Sequence, residues 1–107
     1  MAVQAVAALI AQGESSLKAG DTDAGLALFR QATEQDPKSV LAQTRVGGTL
    51  LLKQEWGPAI AAFLQASMLD GANADAFVGK AMAYLHSGDC ALARAALEEA
   101  KRIDPSK

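Results

Sequence analysis

The chain has 107 residues, half of them apolar and 21% charged, with 10 basic side chains against 12 acidic ones and one cysteine. That length makes one small domain, and a lone cysteine excludes an internal disulfide framework. A net charge of −2 offers no basic field for a phosphate backbone, which excludes general nucleic-acid binding, and no apolar run approaches the roughly 18 residues that cross a bilayer, so no membrane insertion is expected.

Few aromatics and abundant alanine argue against a β-sandwich or barrel. Gly20, Pro37, Gly71, Gly88 and Pro105 stand at separated points between periodic segments, and the chain divides into six predicted helices of comparable length. The first runs from Val3 to Lys18. Its opening, Met1 to Gln12, is apolar enough for a secretion signal but has no Lys or Arg ahead of the apolar stretch. A helix accounts for the same residues, and a cytoplasmic location is expected. The second helix is predicted over Thr22 to Gln35 behind an Asp21 cap, and the third over Val40 to Lys53 behind Ser39. The fourth, Gly57 to Leu69, carries Pro58 in its first turn, where a missing N–H costs nothing. The fifth and sixth, Ala74 to Ser87 and Cys90 to Ile103, follow Asn73 and Asp89 as caps.

The punctuation recurs. Gly20-Asp21 returns 68 residues later as Gly88-Asp89, Asp36-Pro37 returns at the same distance as Asp104-Pro105, and Leu69-Asp70 fills the slot midway. The period is 34. Gly13, Gly47 and Ala81 share one column, Phe29, Phe63 and Leu97 another, Ala32, Ala66 and Ala100 a third, and Gly25, Ala59 and Ala93 a fourth. Three copies tile residues 6–39, 40–73 and 74–107. The small residues admit a neighbouring helix at close range, and the large ones fill the space between the two helices of each pair. One such pair leaves an apolar face bare, whereas three stacked pairs bury it.

This pattern resembles the tetratricopeptide repeat over 102 of the 107 residues. The chain departs from the family at the aromatic usual near the start of the first helix, where Leu9, Gln43 and Phe77 stand, and in copy two, where Gln54 replaces the turn Gly and Gly71 the closing Pro. The resemblance implies an all-α, right-handed solenoid of three antiparallel helix pairs. It also implies a protein-interaction module with no catalytic residue, cofactor or metal, whose first helices line a concave groove that takes a peptide or helix. Helical spacing then puts Ile10, Glu14, Leu41, Thr44, Arg45, Gly48, Leu52, Asp75, Val78, Met82 and His86 on the groove side. Of these, Ile10, Leu41, Leu52, Val78 and Met82 read as a surface for apolar anchors of a partner protein, whereas Leu17, Leu51 and Leu85 read as core.

Family members that grip acidic heat-shock chaperone tails use a five-residue carboxylate clamp, and those positions carry Ile10, Glu14, Arg45, Asp75 and Gly79 here. The resemblance places Arg45 between Glu14 and Asp75, giving a centre of net charge about −1 that repels an acidic tail. The three charges fit a register-fixing ion cluster as well as a ligand contact.

His86, Asp89 and Cys90 are the nearest approach to a metal or Cys-His site, but they straddle a predicted turn, and Cys90 occupies the slot held by Thr22 and Trp56 in the other copies. A packing role is expected for Cys90, and Trp56 reads as a plug over the helix bend. The last helix is the most polar outside: Arg94, Glu98, Lys101 and Arg102 stand where copy two has Ile60, Leu64, Ser67 and Met68. A natural minimal protein and a segment cut from a longer array both fit this ending. Leu97 and Ile103 are expected to stay partly uncovered, which makes a homo-oligomer formed through that end a second expectation beside peptide binding. A dedicated chaperone for one secreted or assembly-prone subunit is a third.

Overall fold

Local chemistry decides where each helix starts and stops. The computed structural model describes residues 2–106, with side chains from residue 5; Met1 and Lys107 lie outside them. It contains α1 (Ala2–Lys18), α2 (Thr22–Gln35), α3 (Val40–Leu52), α4 (Trp56–Leu69), α5 (Ala74–Ser87) and α6 (Cys90–Ile103). The four expected caps are formed: Asp21 accepts from the Ala24 N–H, Ser39 from Ala42, Asn73 from Ala76 and Asp89 from Leu92, at 3.0 to 3.2 Å. Each satisfies an amide that the first helical turn would otherwise leave unpaired.

The first helix of each pair ends in a left-handed residue. Gly20 and Gly88 take φ of 86° and 97°. In the middle pair Gln54 does the same at φ 61°, and its N–H donates to the Leu51 carbonyl while that of Glu55 donates to Leu50. This six-to-one closure ends α3 at Leu52, one residue before the expected Lys53, which becomes the C-cap. α4 begins at Trp56, one residue earlier than expected, behind Glu55, whose side chain makes no capping bond.

The six helices form three hairpins, α1/α2, α3/α4 and α5/α6, stacked in chain order, with α2 packed on α3 and α4 on α5. Equivalent second helices begin at Thr22, Trp56 and Cys90, each 34 residues after the last. α1 touches α3 and α3 touches α5, whereas among the described residues α2, α4 and α6 do not touch one another. The first helices therefore line the inner side of a curved stack.

Phenylalanine fills the seams. Phe29 is fully buried and Phe63 nearly so, and burial of such a ring is worth about 1.5–3 kcal/mol. A Cβ on Gly13 would lie 2.5 Å from Phe29, and one on Gly47 would lie 2.8 Å from Phe63. Ala32, Ala59, Ala66 and Ala100 are also fully buried. The buried Thr49 hydroxyl donates to the Arg45 carbonyl at 2.7 Å, so its desolvation is compensated.

Two expectations about burial are corrected. Ile10, read as a groove residue, is 5% exposed and belongs to the core. It shares with Val6 and Gly13 the α1 face that meets α2, since positions 6, 10 and 13 repeat at helical spacing. Leu85, read as core, is 56% exposed. Its equivalents Leu17 and Leu51 pack against the core as expected, but among the described residues no further hairpin covers Leu85. Leu97, at 41% exposure, is uncovered at the same end as expected.

Candidate binding groove

α3 and α5 lie side by side on the inner face, and the residues between them are a poor match for each other. Small Gly48 and Gly79 alternate with Leu41, Val78 and Met82, which leaves a depression of about 460 Å³. Leu41 and Met82 are roughly half exposed despite their size. The edge of Phe63 reaches the floor, and Asn73, the α5 cap, stands at one end.

The polar side is carried by Thr44, Arg45 and Asp75. The Thr44 hydroxyl already donates to the Leu41 carbonyl at 2.8 Å, leaving its lone pairs free to accept. Arg45 Nη2 lies 3.7 Å from Glu14 Oε2, and both side chains are close to half exposed. At that exposure the pair contributes little to stability, within about 1 kcal/mol. Its effect on the groove is electrostatic: the guanidinium lies against the Glu14 carboxylate, and Asp75 lines the same depression in the first turn of α5, where the helix dipole favours negative charge.

A second depression of about 320 Å³ adjoins the first across Met82 and holds Leu52, Trp56 and His86. The Trp56 and His86 rings stack with centroids 4.7 Å apart and planes 13° from parallel. Trp56 thus ties the start of α4 to the end of α5. The His86, Asp89, Cys90 group is drawn apart: His86 is stacked on Trp56, the Asp89 carboxylate caps α6, and Cys90 is exposed. Among the described residues no group of three His, Cys, Asp or Glu could hold a metal ion.

The structure therefore gathers Leu41, Thr44, Arg45, Gly48, Asp75, Val78 and Met82 around one depression, adds Glu14 through Arg45, and places Leu52 and His86 in the neighbouring one. Ile10 has no part in it. Phe63, Asn73 and Trp56 are lining residues that sequence reasoning assigned to other tasks. Phe63 fills its seam and Asn73 caps α5 as well, and one signal could have flagged Asn73, namely its place immediately before the groove-lining helix. Elsewhere on α5, Lys80 lies over the Phe77 ring, 4.7 Å from its centroid, and burial lowers its pKa. No helix is long and apolar enough to cross a membrane among the described residues.

Comparison with known proteins agrees with this fold. The first tetratricopeptide-repeat domain of Spaghetti (RPAP3), solved with the HSP90 peptide SRMEEVD, is similar with a TM-score of 0.94 at 16% identity, covering 97% of this chain and 82% of that one. The Arabidopsis OM64 tetratricopeptide-repeat domain gives 0.95 at 14% identity, over 100% and 88% of the two chains. MamA gives 0.88 at 24% identity, over 94% of this chain and 58% of its own. No curated protein sequence matches significantly. The family model described as tetratricopeptide repeat matches residues 10–69 and 54–107. Together these spans run from the middle of α1 through the end of α6, and the chain belongs to the tetratricopeptide repeat family.

Proposed function

We propose that this protein-interaction domain holds a peptide or amphipathic helix of a partner protein in the α3–α5 groove through apolar anchors. The observation that carries the reading is the exposure of Leu41 and Met82, 48% and 47%, on either side of a depression that the protein's own packing leaves unfilled. Large apolar side chains gathered around one concavity mark a contact surface more often than a solvated one. A partner burying about 500 Å² of apolar surface there gains on the order of 12 kcal/mol gross. Association and ordering take back several kcal/mol or more, which leaves a micromolar, exchangeable contact.

Charge selects the partner. The Spaghetti domains bind an HSP90 peptide with consecutive glutamates. Here Glu14 and Asp75 accompany the single Arg45, so a neutral or basic segment fits better than an acidic one.

The test is selection of 12-residue peptides from a random display library on the purified domain, followed by calorimetry. Selected peptides are expected to carry apolar residues at helical or alternate spacing. Leu41→Glu and Met82→Glu should each weaken binding about ten-fold or more while helicity by circular dichroism is unchanged. Peptides that bind both variants as well as the parent would place the site elsewhere. Micromolar binding of SRMEEVD, lost in Arg45→Ala, would overturn the charge argument.

A further inference from the structure

Among the described residues, the seam that joins one hairpin to the next is closed between α4 and α5 and open on the far side of α5 and α6. α5 lies on the preceding hairpin with Ala76, Gly79 and Ala83 buried, Gly79 directly against Phe63. Thirty-four residues after Leu51, Ala59 and Phe63 come Leu85, Ala93 and Leu97, and these line an open, almost wholly apolar depression of about 310 Å³ between α5 and α6. Leu85 and Leu97 remain 56% and 41% exposed.

The opposite end of the molecule carries the matching half. Counting back 68 residues from Ala76, Gly79 and Ala83 gives Ala8, Ala11 and Ser15 of α1, all exposed. The sizes also fit. Gly79 faces a phenyl ring, where a Cβ would come within 2.3 Å, whereas Ala11 would face Leu97, which is smaller than Phe and leaves room for one methyl. Little charge needs to be buried, because Glu14 and Lys18 are the only ionisable side chains of α1 and Arg94 is the only charged residue lining the groove.

We infer that the α5–α6 groove takes α1 of a second copy of this chain, head to tail, so that Ala11 rests on Leu97 as Gly79 rests on Phe63. Such a contact joins two different surfaces and is heterologous, so it does not close on a two-fold axis and adds copies as concentration rises. It is distinct from the peptide groove between α3 and α5, although Met82 lines both, so the variants that test it are placed at other residues.

Sedimentation velocity over a concentration series tests it. The weight-average mass is expected to climb beyond two chains. Leu97→Glu, which spoils the groove, and Ala8→Arg, which puts a long charged side chain in the column that Ala42 and Ala76 bury completely at the internal seams, should each abolish the climb, and an equimolar mixture should recover a species of two chains and stop there, because each variant keeps one intact surface. Leu85→Glu serves in place of Leu97→Glu if circular dichroism finds the latter unfolded. As a second readout, Cys90, which lines the groove and is exposed, should lose reactivity toward a thiol reagent as the chain is concentrated. A protein that stays monomeric at millimolar concentration overturns the inference. Continued dimerisation of Ala8→Arg also overturns it, since that would mean groove-to-groove pairing, and so does a groove that binds an added peptide but never a second copy.

Discussion

The ring of Phe63 lies so close to the backbone of Gly79 that a Cβ there would sit 2.3 Å from Cε1. Gly47 meets the same ring from its other side of the hairpin, with a Cβ placed 2.8 Å away. Phe63 therefore packs within its own hairpin and against the next.

Gly79→Ala should force Phe63 out of position. Overpacking of this kind costs about 1–3 kcal/mol, which in a domain of this size lowers Tm by roughly 4–8 °C per kcal/mol. Urea or thermal unfolding followed by circular dichroism checks it, and an unchanged midpoint would mean that the ring has room to move.

Gln54 holds a left-handed backbone at φ 61° where the other two hairpins use glycine. That conformation costs an L-residue roughly 1–2 kcal/mol, while glycine loses about 0.5–1 kcal/mol in chain entropy. Gln54→Gly should therefore gain up to about 1 kcal/mol, seen as a higher urea midpoint at constant slope.

Glu55 is the N-cap of α4 and makes no side-chain capping bond, whereas Asp21 and Asp89 at the equivalent positions do. Glu55→Asp should supply the missing bond to an N–H of the first turn and stabilise the domain by about 0.5–1 kcal/mol. Asp89→Ala should do the reverse by a similar amount, and the pair of midpoints measures the cap directly.

Lys53 bridges two hairpins, bonding to Asp23 and facing Glu55 at 3.6 Å. The hydrogen bond to Asp23 is the main cause that holds its pKa above 10.5. A cation whose pKa is raised by folding contributes stability below its unfolded value and loses it as pH rises through the folded one. Asp23→Asn should bring the Lys53 titration, followed by NMR at the ε-methylene, down toward the ordinary value. The stability difference between parent and variant should vanish at pH above the folded pKa.

Much of the architecture was legible because it is repeated. A 34-residue interval fixed the six helices, and the caps Asp21, Ser39, Asn73 and Asp89 could be read from residue type and position alone. The approach of Arg45 to Glu14 followed from the family resemblance, which put both in a known constellation. Ile10 was misplaced because it lies at the edge of the α1 stripe, where a small rotation decides between groove and seam. Leu85 was misplaced because its column says which face it occupies but not what packs over it, and among the described residues it is 56% exposed. The contact of Gly79 with Phe63 was hidden for a different reason: the period aligns Gly79 with Arg45 and Ala11, residues of unlike size, so no column announces it. The stack of Trp56 on His86 joins residues 30 apart that occupy no shared column, and only coordinates bring them together.

With one phenyl ring wedged into both interfaces, the second and third hairpins cannot part company without exposing it. Stacked arrays often fray from their tips, one unit at a time. Here the middle ring acts as a common bolt, and α3, α4 and α5 should surrender their amide protons to solvent together, in a single step.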